Sequence, residues 1–379
     1  MSSGDTIQIP ATVDDVFCEE LLREGHSRAW DFNIEVPTAL VRVSLVSYVR
    51  LIQTIGTWST FAPPNQALRT DIRDEATLQR FLATDHGLAS LLTRRQVQAA
   101  SGHDIRANDR SIQQALWARR RRMDRWDTAH KGRTLTVCAT HPSVRPPNSL
   151  TPVGSDKVRT SDDLAHKIGA AVKQHVLLND SLPDEANILR KLGAVVHHLF
   201  QNTTEWGCRL PSGEPTKVSF QFVHIAAHRS VDTNITNPKS PLFRYIFRDV
   251  ALGGLQVDAF IELSVLDIGP TLGSHRLAQM GLSTETADSQ NHWTAINWAL
   301  TDGNSTDPKP PSPLKGRGIA LSLDDLEALR AAMTLRTGPI MAASNFSSRK
   351  RDRRLTRLQG DYAYAAGTAW SFLIPLRAQ

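Results

Sequence analysis

Apolar residues recur at helical spacing in some stretches of the chain and run unbroken in others, and the change of period marks out its elements. After a polar lead-in over 1–29 with a short amphipathic run, Val16 to Leu22, the pattern from Trp30 to Val43 predicts one or two short strands interrupted by Pro37. Val46, Val49, Leu51, Ile52 and Ile55 then predict a buried helix over 43–58. Ala62-Pro63-Pro64-Asn65 breaks it, 67–72 reads as an edge strand, and Leu78, Leu82, Leu88 and Leu91 predict one helix over 75–92. A helix from Ser111 to about Trp126 and a compact strand over 134–140 complete a mixed α/β region.

Pro142, Pro146, Pro147 and Pro152 follow without periodicity and place a domain boundary near 150. Beyond it the pattern predicts a helix over 162–178, capped by Ser161 or Thr160, and a second helix whose inner face is Leu189, Leu192, Val196, Leu199, Thr203 and Trp206, stopped by Gly207. Strands are expected over 218–226 and 256–266. A polar, Gly/Pro/Ser-containing stretch over 273–314 reads as a lid, with an amphipathic segment around Trp293 to Leu300. A helix over 319–335, a strand over 338–343 and a terminal strand over 369–376 close the chain. The expected architecture is α/β: a smaller mixed domain over 1–150, then over 151–379 an α/β sandwich with helices on one face of a mixed sheet.

The chain has 379 residues, 40% of them apolar and 22% charged, with a formal charge of +6. This composition fits folded domains and permits nucleic-acid, nucleotide or acidic protein partners without selecting among them. Cys18, Cys138 and Cys208 have neither metal-ligand nor disulfide-framework spacing, so a reducing, cytoplasmic setting is expected. No run of apolar residues is long enough to span a membrane, and the first residues lack the pattern of a secretion signal.

Candidate chemistry lies in four ordered segments. Asn202, with His198 and Glu205 on one helix face, offers a carboxamide oxygen to Mg²⁺, or else is part of a solvated helix face. Asp267 ends an apolar strand, where a carboxylate needs a partner such as an exocyclic amine, or caps the turn at Gly269-Pro270. Lys315-Gly316-Arg317-Gly318 opens a helix, where backbone N–H groups can face an anion. Gly367-Thr368 leads into the last strand. The phosphate loop GxxxxGK[ST] is absent, and so is a dinucleotide fingerprint.

In this order the segments resemble the GHKL (Bergerat-fold) superfamily of ATP-binding domains, which includes sensor histidine kinases and type II topoisomerases. The resemblance covers about 160–379, and the ending Gly367-Thr368-Ala369-Trp370-Ser371-Phe372 is especially like histidine-kinase-type members. It implies ATP and Mg²⁺ as cofactors, Asn202 as the metal ligand, and Asp267 with Gly269 and Thr368 around adenine. Lys315, Gly316, Arg317 and Gly318 would lie at the phosphates. Two positions depart from the family pattern. His198 stands where hydrolysing members carry a general-base Glu, with Glu205 as the alternative carboxylate, and Thr271 stands where a second glycine is usual. The implied function is a slow or partner-dependent ATPase acting as a nucleotide-driven switch with a protein partner or as a homodimer. The alternatives are a protein kinase, with His166 or His175 as phosphoacceptor, and an ATP-gated nucleic-acid effector, for example in phage defence. The last rests on Arg119–Arg122, which bind nucleic acid or simply cover the outside of a helix.

Overall fold

The computed structural model describes residues 5–94, 96–105, 114, 118, 134–140, 148–152, 155, 157–173, 184–216, 219–229, 257–301, 303–305, 316–345 and 355–377. The helix expected from Ser111 to Trp126, and Arg119–Arg122 within it, lie outside this set apart from 114 and 118.

The first region is a small parallel α/β unit. Strands β1 (Thr6–Gln8), β3 (Asn33–Val36), β5 (Leu68–Thr70) and β6 (Val97–Gln98) form a sheet in that order, while β2 (Thr12–Val13) pairs with β4 (Arg42–Val43). The polar lead-in therefore holds two strands and helix α1 (Asp15–Ser27), whose N-cap Asp14 accepts from the Phe17 N–H at 2.9 Å. Helix α2 (Ser47–Phe61) follows. The single helix expected over 75–92 is two, α3 (Glu75–Ala83) and α4 (Asp85–Thr93). Thr84 ends the first in an extended conformation and caps the second, its hydroxyl accepting from the Gly87 N–H at 3.1 Å.

The larger sheet has the order β12-β11-β10-β13-β9-β8-β7. Its strands are β7 (Thr134–Thr140), β8 (Phe220–Arg229), β9 (Val257–Ile268), β10 (Ala332–Gly338), β11 (Ile340–Asn345), β12 (Thr356–Arg357) and β13 (Ala365–Arg377). Every described pairing in it is antiparallel, so the mixed sheet expected from sequence is corrected. Strand β7, which the sequence pattern assigns to the first region, pairs with β8 in this sheet. The helix expected over 319–335 stops early: α9 (Gly318–Ala328) ends before Arg330, which has φ 54°, and β10 begins at Ala332.

Helices cover both faces of the sheet, a second correction. On one face, α5 (Ser161–Ala171), α6 (Glu185–Asn202) and α9 bury Leu164, Leu192, Val196 and Leu326 against Val265, Leu335 and Phe372. On the other lies α2, which is buried almost all round because it serves two cores. Leu51, Ile55 and Trp58 fill the small unit, while Val49 and Ile52 pack with Phe222, Leu266 and Ile268 of the large sheet. Two of its polar side chains hydrogen-bond across that contact. Gln53 Nε2 donates to the Arg336 and Ala366 carbonyls, both at 3.1 Å, and Thr57 Oγ1 accepts from the Ala366 N–H at 3.0 Å.

The expected lid contains two helices, α7 (Ser274–Gln279) and α8 (Ser289–Ala299). No helix among the described residues is long and apolar enough to cross a membrane.

Candidate functional site

A cavity of ≈ 400 Å³ opens between the end of α6, the ends of β9 and β13, the lid helices and the start of α9. His198, Asn202, Glu205, Asp267, Gly316, Gly318 and Thr368, far apart in the chain, all line it. Gly269 and Arg317 are not in its wall, and Lys315 lies outside the described residues. Of the two phosphoacceptor candidates, His166 is exposed on α5 and does not line the cavity, and His175 lies outside the described residues.

Register in the antiparallel sheet builds the floor. Asp267 on β9 faces Thr368 on β13 and Gln221 on β8, so three polar side chains lie in a row across strands whose other residues are largely apolar. Gln221 is committed elsewhere: its Nε2 donates to Thr203 Oγ1 at 3.0 Å and Thr204 Oγ1 at 3.2 Å. Asp267 is 4% exposed, and its Oδ1 has no hydrogen-bond partner among the described residues. Burial drives its carboxyl well above the usual carboxylate range, offset in part by the Thr368 backbone N–H. A buried acceptor left open at a cavity wall is an unmet demand for a donor.

Close backbone approach explains the glycines. A Cβ on Gly207 would lie 2.7 Å from Asp267 Cγ, and one on Gly269 would lie 1.8 Å from the Gly207 carbonyl oxygen. Gly269 thus lets the turn after β9 pass beneath Gly207, and Gly207 leaves the space beside the carboxylate open. Gly367 has φ 70°, and its N–H donates to the Gly269 carbonyl at 2.8 Å. Thr337 ties the turn to the lid: its Oγ1 accepts from the Leu272 N–H at 3.0 Å and donates to the Gly367 carbonyl at 2.9 Å. Thr271 is buried with its hydroxyl 2.7 Å from that of Ser274, the first residue of α7.

Asn202 is the last residue of α6, after which Thr203–Gly207 widens into a π turn. Such turns are frequent at functional sites. Glu205 falls in this turn, exposed at the cavity wall, with Gln201 Nε2 donating to its Oε1 at 2.8 Å. One turn before Asn202, His198 lies against the α9 entrance: a Cβ on Gly318 would be 3.5 Å from its Nδ1. Burial lowers its pKa, His197 adds to the shift and Asp325 opposes it, so the imidazole is neutral near pH 7. His197 Nδ1 donates to the Arg159 carbonyl at 2.6 Å.

Sequence reasoning missed the lid's contribution. His275 and Trp206 meet edge-to-face at 5.0 Å, and the Arg276 guanidinium lies 4.6 Å from the Trp298 ring centre. All four line the cavity. Trp298 sits in the amphipathic segment that the pattern picks out, whereas nothing about Arg276 distinguishes it within a polar stretch.

Comparison of the chain with protein-family models, with curated proteins and with solved structures gives no match. Among the described residues no group of three or more His, Cys, Asp or Glu side chains is placed to hold a metal ion.

Proposed function

We propose that the chain binds ATP with Mg²⁺ in this cavity and works as a nucleotide-driven switch with slow or partner-dependent hydrolysis. The observation that carries the reading is Asp267: a buried carboxyl oxygen with no partner among the described residues, in a wall kept open by Gly207 and backed by Thr368. The adenine amine supplies the missing donor, and the Thr368 hydroxyl, 3.3 Å from that of Thr337, stands beside it. Gly316 and Gly318 line the cavity at the α9 entrance, where a helix N-terminus can receive phosphate oxygens.

The donor set fits Mg²⁺ held mainly through phosphates. Asn202 offers one hard oxygen and Glu205 a nearby carboxylate, which is fewer ligands than an all-protein cage would need. When bound, the ion neutralises phosphate charge and polarises the terminal phosphoryl group. His198, neutral and facing the α9 entrance, can take the proton from a water attacking that group. An imidazole in place of a carboxylate supports slow turnover or a need for a partner.

Isothermal titration tests the assignment. Asp267→Asn is expected to lose adenine-nucleotide affinity about 10- to 100-fold, the worth of a hydrogen bond to a charged group. Asn202→Ala is expected to keep adenosine binding and lose the Mg²⁺ dependence of ATP binding. Unchanged binding in both variants would refute the pocket assignment.

A further inference from the structure

The described part of the cavity wall offers a polyphosphate ligand little positive charge. Asp267 and Glu205 line the cavity, and among the described residues the only lysine or arginine in its wall is Arg276. That side chain is half-buried on lid helix α7, one residue after His275. Its guanidinium rests over the face of Trp298, and its Nη1 donates to Gln279 at 3.1 Å, the next turn of the same helix. No carboxylate within ion-pair distance neutralises it among the described residues.

Its neighbours link it to the glycine entrance of α9. The Trp298 carbonyl accepts from Asn304 Nδ2 at 2.8 Å. Asn304 in turn packs on the glycine entrance of α9: a Cβ on Gly316 would lie 2.4 Å from the Asn304 carbonyl oxygen. The neighbouring Gly303 N–H donates to the Gly316 carbonyl at 3.2 Å. The Trp206–His275 pair lies on the other side, next to Gly207 and Asp267. The lid therefore meets Trp206 of the π turn through His275 on the side of Gly207, and carries Arg276 on Trp298 on the side of Asn304 and Gly316.

We infer that Arg276 is the specificity-determining residue that reads the length of the phosphate chain, exchanging its seat on Trp298 for the terminal phosphate. The inference rests on the ATP reading of the cavity. A planar guanidinium stacked on an indole is weakly hydrated and pre-oriented, so it moves to a phosphate at little desolvation cost and binds two oxygens at once. The exchange joins the lid to the triphosphate and leaves a monophosphate untouched. Arg276 thereby supplies positive charge to a wall that also carries Glu205.

Equilibrium titration of the full chain with AMP, ADP and ATP in Mg²⁺ tests this on the wild type, Arg276→Ala and Arg276→Lys. Arg276→Ala is expected to weaken ATP about 10- to 100-fold and leave AMP unchanged, so that the ATP preference collapses. Arg276→Lys, which keeps the charge without the planar fork, is expected to recover part of it. Retained AMP binding shows that the variant is folded. Trp298→Phe keeps a stacking face and is expected to preserve the preference. An unchanged ATP-to-AMP ratio in Arg276→Ala, or an equal fall for both ligands, overturns the inference while the ATP site stands. A wild-type chain that binds none of the three nucleotides overturns the ATP reading and this inference with it.

Discussion

Asp267 carries an energetic cost in the empty protein, and that cost gives the site a pH signature. Its carboxyl keeps its proton in the folded chain above the pH at which the unfolded chain gives it up. Its contribution to stability is therefore full below the unfolded value of about 3.9, falls as pH rises toward the raised folded value, and then levels off. Asp267→Asn removes this loss. Thermal melts at a series of pH values are expected to show the variant pulling ahead of the wild type by about 1.4 kcal/mol per pH unit inside that window. Nucleotide affinity should run the other way, since an ionised carboxylate accepts from an adenine amine more strongly than the neutral acid does. The wild-type dissociation constant is expected to fall by up to about tenfold per unit as pH rises through the same window, with Asp267→Asn flat. A wild-type affinity independent of pH would show that no donor binds there. Asp267 was legible in the sequence because a carboxylate ending an apolar strand is conspicuous. Its empty Oδ1 was not, because a partner's absence is a three-dimensional fact.

At the scale of elements, the cavity depends on backbones passing closer than side chains allow. Gly207→Ala would put a methyl group 2.7 Å from Asp267 Cγ, so the carboxylate must shift. Titration is expected to show weakened nucleotide binding, and denaturation a loss of about 1–3 kcal/mol. Gly269→Ala should be worse for the fold, because its clash at 1.8 Å is with a carbonyl oxygen that cannot rotate away. Gly207 is visible in the sequence only as a helix stop, and its nearness to Asp267 arises from the register of distant strands. Some elements were plain: α2 from its periodicity, β9 and β13 from their apolar runs. Strand β10 was not: Met333 and Leu335 alternate with Thr334 and Arg336, but over only four residues. Leucine spacing instead continues through it from α9. The stop between them is Arg330, a left-handed residue that is not glycine and so leaves no mark in the sequence. The one-sided sheet was expected for a related reason. Nothing in α2 alone says that its two apolar stripes serve two different cores.

For the whole molecule, that double service packs the small unit against β9 next to Asp267, although none of its described residues lines the cavity. Gly56 on α2 meets Ile268, the residue after Asp267, so closely that a Cβ would lie 2.7 Å from it. Arg50 and Arg336, both buried, converge on Glu19, linking α2 and β10 to α1. Glu19→Gln removes the ion-pair partner that two buried guanidinium groups share and is expected to cost about 3–5 kcal/mol in denaturant unfolding. The lid is joined to the same unit at Tyr364. Burial raises its phenol to about 12, and its hydroxyl meets the Thr271 side chain at the lid hinge. Its ring touches His292 of α8 on one side and His26 and Phe61 of α1 and α2 on the other, while His26 Nε2 donates to its carbonyl at 3.0 Å. If nucleotide draws the lid down and moves Thr271 or His292 against this ring, the ring bears on His26 of α1 and Phe61 of α2. Hydrogen exchange with and without Mg-ATP is therefore expected to show slowed exchange in the last turn of α1 and the end of α2, far from the ligand. Tyr364→Ala should abolish that remote protection while the protection of α7 and α8 persists, because Tyr364 does not line the cavity. Remote protection that survives in Tyr364→Ala would move the coupling to the Gly56–Ile268 contact, and exchange confined to the lid in the wild type would mean that the small unit does not sense nucleotide.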